Sequence, residues 1–485
     1  MHPPGVDDPG ATAAPALRRW ADLPGPRGLP LLGNALQLNR SRVHQQFEAL
    51  AREYGPVYRL KVGSRRAVVV ANHEWVAQTL RDRPDGFRRS SKLEEVGQEM
   101  GLERGLFAAN GDAWQAQRRM VMAGFDPAHV KAYFPSLVRV TRRLHGRWLR
   151  AAHSGASIDL QSDLMRFTVD AICGLAFGAD VNTLESDEGV IQRHLDQIFP
   201  ALFRRTFAVF PYWRYLRLPR DRRLDRSVIE VNHAIRGFIA QARARMQADP
   251  ALHAQPGNLL EAMIAAADLG DSGVDDHDVA GNVLTMLLAG EDTTANTLAW
   301  MIDLLWRNPG ALADAQQEVR RQAGDLDAFT PQRMATLDFV EACAHETMRL
   351  KPVAPFNVVQ ALHDTRIGDL YLPEGAVVIL LMRHDSVDPA LVGEAGAFQP
   401  GRWLLDGGPG QAASAVKRIS MPFGAGPRIC PGRYLALLEM KMAMAMLLGQ
   451  FEIDSVSTPD GREPRERMAF TMVPVGLRMR LRVRS

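Results

Sequence analysis

A mainly α fold with small β-sheets is what the sequence predicts, and three observations predict it. Apolar residues recur at helical spacing through most of the chain, and short β-like runs occur only in widely separated places. A glycine- and proline-rich loop carrying a cysteine, from Phe423 to Gly432, stands directly before another helical pattern. No stretch of the 485 residues reads as a linker between folds, so one large domain is expected over 23–485. Ahead of it, residues 1–22 are rich in proline and alanine and read as disordered or loosely attached.

The totals exclude several classes of protein. Apolar residues are 46% and charged residues 23%, and 58 basic against 55 acidic residues leave a net charge of only +3, which gives no electrostatic case for nucleic acid. Three cysteines, Cys173, Cys343 and Cys430, are too few for a disulfide framework, so a reducing cytoplasm is the expected compartment. Cys173 and Cys343 fall in apolar helical patterns and read as inert core residues. The N-terminus has neither a spanning apolar run nor a signal-peptide layout, so no membrane anchor is expected.

In chain order, the proline-rich 23–30 should lie extended on the surface. A helix follows over 43–54, then two strands over 57–62 and 66–71 around Gly63-Ser64. A helix opens near Gly111, with Asp112 placed to cap it and Trp114 and Arg118 one turn apart on one face. Residues 283–306 form the longest apolar helical pattern, and 341–350 another that ends before Pro352 and Pro355. Further β-like runs lie at 376–382 and 469–483. There is no internal repeat.

Four places carry residues that packing alone does not ask for. An indole N–H beside a guanidinium, Trp114 and Arg118, can hold an anion, although a half-buried Trp next to a solvated Arg is the commoner meaning of such a pair. The run Ala289-Gly290-Glu291-Asp292-Thr293-Thr294 puts acids and hydroxyls in the middle of an apolar helix, at a cost in helix stability. A site beside the helix, with Gly290 leaving room for a ligand, and a kinked core helix with satisfied hydroxyls explain the run about equally well. Glu346 and Arg349 share a helix face and can pair. The fourth place is the cysteine loop, whose glycines, prolines and arginine suit a thiolate held for a metal; a chance match to its six selected positions is on the order of 10⁻⁵ over the chain.

Together these residues resemble the cytochrome P450 family of haem-thiolate monooxygenases over nearly the whole chain. The loop Phe423-Gly-Ala-Gly-Pro-Arg428-Ile-Cys430-Pro-Gly432 is similar to the family's cysteine signature, and Glu346-Thr-Met-Arg349 to its Glu-x-x-Arg. Phe398-Gln-Pro-Gly-Arg402-Trp403 matches a third motif with Trp403 in place of Phe, while the run from Ala289 to Thr294 and Trp114-x-x-x-Arg118 match two more. The resemblance implies the P450 fold, a triangular helical domain with a long central helix, and haem b with Cys430 as the axial ligand of its iron. It also implies a haem cradle of Phe423, Gly424, Gly426 and Gly432, with Trp114, Arg118 and Arg428 on the propionates. Where many members carry a further basic residue on the strand after the Glu-x-x-Arg helix, this chain reads Phe356-Asn-Val-Val-Gln360, so propionate binding should be arranged differently. Glu346, Arg349 and Arg402 would form a structural charge triad. Asp292 and Thr293 would form the catalytic pair that handles oxygen and its protons.

By position in the resemblance, Phe107, Ala289, Val353, Ala354, Phe470 and Thr471 would line an apolar substrate pocket. The layout is similar to bacterial fatty-acid hydroxylases, which puts fatty acids first and terpenoids, steroids and polyketide-like compounds next. Arg88, Arg89 and Lys92 offer charge for a carboxylate head group, or simply a solvated face. The aromatic stretch 198–218 is either a helix pair facing the core or an apolar lid that touches a membrane. No flavin or nicotinamide segment is recognisable, so NAD(P)H should act only indirectly, through a ferredoxin or flavodoxin and its reductase. Lys417, Arg418, Arg433 and Lys441 would form the basic docking face. Two other functions stay open: a reductant-independent haem-thiolate isomerase or dehydratase, and a haem sensor or carrier.

Overall fold

The longest element is the central helix Asp276–Arg307, and its first turn shows how side-chain chemistry sets where it begins. Asp275 accepts from the Asp278 N–H at 3.0 Å while the Asp278 carboxylate accepts from the Asp275 N–H at 3.2 Å, a reciprocal cap that starts the helix well before the apolar periodicity does. This computed structural model describes residues 17–125, 127–186, 190–404 and 416–484, and helices dominate them. The two halves of the central helix serve different cores. Val279, Val283 and Leu287 pack with Cys173 and Phe177, whereas Leu298, Ile302 and Leu305 pack with Phe167 and Met444. Each such buried side chain is worth about 1.5–3 kcal/mol. The polar run from Ala289 to Thr294 lies at the junction, so the cores on either side hold the helix through a stretch that would otherwise weaken it.

Alongside runs the helix Leu160–Phe177. A Cβ on Gly290 would stand 3.2 Å from Ile172 Cγ1, so this glycine serves the close approach of two helices and leaves no room for a ligand. That corrects the expectation from sequence. The side chain at this level that is open is the preceding one, Ala289.

The main sheet joins segments far apart in sequence. Its order is Val57–Val62, Arg65–Val70, Val377–Leu381, Phe356–Ala361 and Phe87–Arg89, with the second and third strands parallel and the other pairs antiparallel. In its last pairing Arg89 stands opposite Val359. The run expected over 469–483 is divided between two sheets: Met472–Pro474 pairs with Glu466–Met468, and Arg478–Val483 with Phe451–Ser457.

Three further expectations change. Asp112 does not cap its helix, because Gly111–Gly124 already includes it and Asn110 holds the cap position. Asp112 instead sits in the first turn, where a negative charge favours the helix dipole. Residues 17–22 are firmly attached: Arg18 pairs with Asp369 at 2.8 Å and Trp20 Nε1 donates to the Ala67 carbonyl at 3.0 Å. The rest of the expected loose N-terminus lies outside the described residues. Finally, Leu23 is buried, so the proline-rich segment is not wholly superficial. No described helix is long and apolar enough to cross a membrane.

Candidate active site

Cys430 is held by the backbone of its own loop. Its N–H donates to the Phe423 carbonyl at 2.9 Å, and Gly424 and Gly426 take φ of +76° and +70°, in the region that glycine tolerates best. Gly426 has a second reason to lack a side chain, since a Cβ there would come 2.6 Å from Arg81 Cα at the end of the helix His73–Arg81. The loop is thus pressed onto a neighbouring element. Just beyond it, Gly432 precedes the helix Arg433–Gln450 and its N–H points at the sulfur.

The three cysteines differ in what surrounds them. Burial pushes all three thiols up, but only at Cys430 do two cations, Arg118 and Arg433, oppose that push, alongside the Gly432 N–H. Cys173 and Cys343 have acids nearby instead. A metal's charge added at Cys430 would complete the stabilisation of a thiolate.

Above the loop the structure gathers more positive charge than it neutralises. Arg83, Arg89, Arg118 and Arg428 form no ion pair with a carboxylate among the described residues, and burial lowers the affinity of all four for protons, reinforced at Arg89 by Arg83 and Arg428 and at Arg428 by Arg83 and Arg118. Arg83 is pushed down to about 10 by burial, and Arg428 to about 9 by burial and by Arg83 and Arg118. Arg83 Nε and Nη2, Arg89 Nε and Arg428 Nη1 are buried without hydrogen-bond partners. Buried guanidiniums left this way cost several kcal/mol unless an anion completes them. The two propionates of a haem held by Cys430 would supply such an anion, so the residues present fit that group. Trp114 contributes a platform, with the Arg428 guanidinium 4.9 Å from its ring centroid. Arg89 stands on the strand paired with the one whose expected basic residue is missing. The sequence left it between a substrate carboxylate and a solvated face, and held no signal of its neighbours Arg83 and Arg428.

Glu346, Arg349 and Arg402 do converge. Glu346 and Arg349 are fully buried and joined by bonds of 2.7 and 2.8 Å, and Arg402 Nε approaches Glu346 at 3.3 Å without an aligned hydrogen bond. Trp403 explains its own departure from the family pattern, because its Nε1 donates to Glu346 at 2.9 Å, which a phenylalanine cannot do.

On the opposite side, burial pushes the Asp292 carboxyl up, against the pull of Thr471, Asn296 and Arg467. Asn296 Nδ2 donates to one carboxylate oxygen at 2.6 Å and the Thr471 hydroxyl to the other. Thr471 therefore serves Asp292, whereas it was expected to line the pocket. Thr293 Oγ1 donates to the Ala289 carbonyl at 2.7 Å, leaving its lone pairs free to accept. Phe470, at φ +116°, is held in a conformation rare for a bulky residue. It stacks on Phe199 at 4.4 Å and meets Phe107 at 5.9 Å, so Phe199 joins the expected pocket residues. Ala289 and Ala354 are open and Val353 half-buried.

Two charge expectations fail. Arg88 pairs with Glu94 at 2.6 Å and Lys92 with Glu95 at 3.6 Å, so neither is free for a substrate carboxylate. Lys441 is buried against Glu341 and is no part of a docking face. Lys417 and Arg418 are exposed and Arg433 half-buried.

A helical domain that presses a poised cysteine beneath uncompensated arginines defines a class, the haem-thiolate oxygenases. Comparison with known proteins gives the family: the cytochrome P450 profile matches residues 23–481, so the chain belongs to the cytochrome P450 family, and it is a P450 monooxygenase. It is 27% identical over 462 residues to cyclooctat-9-en-7-ol 5-monooxygenase of Streptomyces melanosporofaciens, covering 94% of this chain and 95% of that one. It is 28% identical over 481 residues to human mitochondrial 25-hydroxyvitamin D-1 alpha hydroxylase, with 95% and 92% covered. The self-sufficient cytochrome P450 monooxygenase CYP505E3 of Phanerodontia chrysosporium is 27% identical over 439 residues, 89% of this chain but 40% of that protein.

Proposed function

We propose that the enzyme inserts one atom of dioxygen into a C–H or C=C bond of a lipophilic substrate that carries no negative charge, with electrons from a separate ferredoxin or flavodoxin. The observation that carries this reading is the pairing of Cys430, backed by the Gly432 N–H and two cations, with four arginines that lack anions. Haem b bound between them would supply the activation of dioxygen. The protein's own residues do the rest.

Cys430 would offer the sulfur ligand, and Arg83, Arg89, Arg118 and Arg428 would hold the propionates. Converting R–H, O2, two electrons and two protons into R–OH and water requires protons at a site shielded from bulk solvent. Asp292, whose carboxyl burial pushes up, can take up and release a proton, and the Thr293 hydroxyl, which donates to the Ala289 carbonyl, keeps lone pairs that can accept a hydrogen bond at the next position. Phe107, Phe199, Phe470 and Ala289 exclude water and receive an apolar body. Because Arg88 and Lys92 are already paired, fatty acids lose their lead to lipophilic compounds without a carboxylate, and two of the relatives are named for cyclooctat-9-en-7-ol and 25-hydroxyvitamin D. Lys417, Arg418 and Arg433 offer charge to an acidic electron donor, so NAD(P)H enters only indirectly.

The test is the absorption of the purified, reduced, carbon-monoxide-treated protein. A thiolate-type band lost in Cys430→Ala is expected; a histidine-type spectrum in the parent protein would overturn the assignment. Product formation without any reductant would favour the isomerase or dehydratase reading instead.

A further inference from the structure

We propose that Phe470 is a positioning residue for Asp292: clamped by Phe199 in a backbone conformation it would not hold alone, it sets the Thr471 hydroxyl on that carboxylate. The aromatic wall of the pocket thereby governs the group that carries protons. This rests on the monooxygenase reading and adds a control to its site.

Phe470 stands at the tip of the hairpin formed by Glu466–Met468 and Met472–Pro474. Below the tip the hairpin is fixed. Met468 pairs with Met472, both are buried, and the Met472 N–H donates to the Val353 carbonyl at 2.8 Å. Three residues close the turn, with the Ala469 N–H donating to the Thr471 carbonyl at 2.9 Å. Phe470 lies between them at φ +116°, a region that a bulky residue keeps only where its surroundings impose it. Here two rings impose it. Phe199, from the helix Val190–Thr206, stacks on Phe470 with centroids 4.4 Å apart and planes 9° from parallel, and Phe107 meets the same ring at 5.9 Å. Ring pairs of this kind add attraction beyond the area they bury.

The next residue carries the consequence. Thr471 is 4% exposed, and its hydroxyl donates to Asp292 Oδ2 while Asn296 Nδ2 donates to Oδ1 at 2.6 Å. Ring and hydroxyl sit on adjacent residues of one short turn, so a backbone change that relaxes Phe470 moves the Thr471 hydroxyl. Asn296 is one turn along the same helix as Asp292 and does not depend on the hairpin. A phenyl ring offers Asp292 no hydrogen bond, so Phe199 and Phe470 act on it through Thr471. The charged groups that bear on Asp292 are three. Arg467, on the first strand of the hairpin, favours its ionised form, while Glu291 beside it and Asp196 on the helix of Phe199 are acids that its charge pushes up.

The test reads the Asp292 carboxyl itself, by infrared difference spectra of the haem-loaded protein between about pH 4 and 10, the band being the one lost in Asp292→Asn. Neither substrate nor electron donor is needed. Thr471→Val removes a donor to the ionised form and should raise the titration midpoint by about 1 unit or more, and Thr471→Ser should bring it back. Phe199→Ala and Phe470→Ala should each raise it too, because the clamp is lost while the positive φ stays costly. Glycine accepts that φ without a clamp, so Phe470→Gly should keep a midpoint near the parent's and cancel the effect of Phe199→Ala. The inference is overturned if Thr471→Val or Phe199→Ala leaves the midpoint unmoved, or if no band of Asp292 titrates. It is also overturned if the effect of Phe199→Ala persists in full beside Phe470→Gly, since that would mark a route through Asp196. A histidine-type carbon monoxide spectrum would sink the monooxygenase reading separately, without altering these midpoints.

Discussion

At the scale of single residues, the site is a set of groups whose environments were pushed away from their ordinary values in opposite directions. Arginines lose affinity for protons, and the Asp292 carboxyl gains it. Two predictions belong here. Thr293→Ala removes the hydroxyl that accepts at the pocket without touching the arginines. It should keep haem and substrate binding while electrons are diverted to hydrogen peroxide, measured as peroxide formed per reductant consumed; unchanged coupling would exclude the role. Arg83→Met, alone or with Arg89→Leu, should weaken haem retention. The same change should leave the haem-free protein no less stable, because it removes a buried charge that has no protein partner. Thermal unfolding of both forms checks this. A purely structural role for Arg83 would instead destabilise both.

At the scale of elements, the helix Asp338–Leu350 is tied to the segment leading to the cysteine loop through one carboxylate. Glu346 receives Arg349, the Gln399 N–H and the Trp403 indole, and Arg349 reaches on to the carbonyls of Ser386, Ala395 and Ala397. Glu346→Gln strands a fully buried guanidinium and should cost roughly 3–5 kcal/mol in denaturant unfolding. Trp403→Phe removes one charge-assisted bond and should cost about 1.5–3 kcal/mol. A milder loss in the first variant than in the second would contradict this network. The family motif alone could not show why Trp stands at 403, since the reason is a bond to a residue more than fifty positions away.

Across the whole molecule, a second buried network joins the beginning, middle and end of the chain. Glu466 binds His44 at 2.9 Å, Arg383 at 2.9 Å and Lys351 at 2.7 Å, while Glu48 holds the other side of Arg383 at 2.8 Å. Burial alone would raise Glu466, but these partners hold it well below the carboxylate range. A depressed carboxylate stabilises the fold above its unfolded value, about 4.5, and that contribution fades as pH falls below it. Glu466→Gln should therefore lower the melting temperature at about pH 7 and flatten its decline between about pH 5 and 3. An unaltered acid limb would show that the network contributes nothing. The Glu439 carboxyl, pushed up to about 8 by burial, has the opposite sign: its protonated form suits the fold, so its stabilisation fades as pH rises toward about 8.

Sequence by itself determined the helical class, the cysteine loop, the Glu346 and Arg349 pair and the unusual central helix, because each is carried by residues close together in the chain. Local spacing is enough to place a side chain on a helix face or in a tight turn. Only the tertiary structure decided which charges are answered. It brought Arg83 and Arg89 to Arg428, turned Thr471 onto Asp292, set Gly290 against Ile172, and paired Arg88, Lys92 and Lys441 internally. The physical reason is that a charge takes its meaning from what lies within a few ångströms, and those neighbours come mostly from distant parts of the chain.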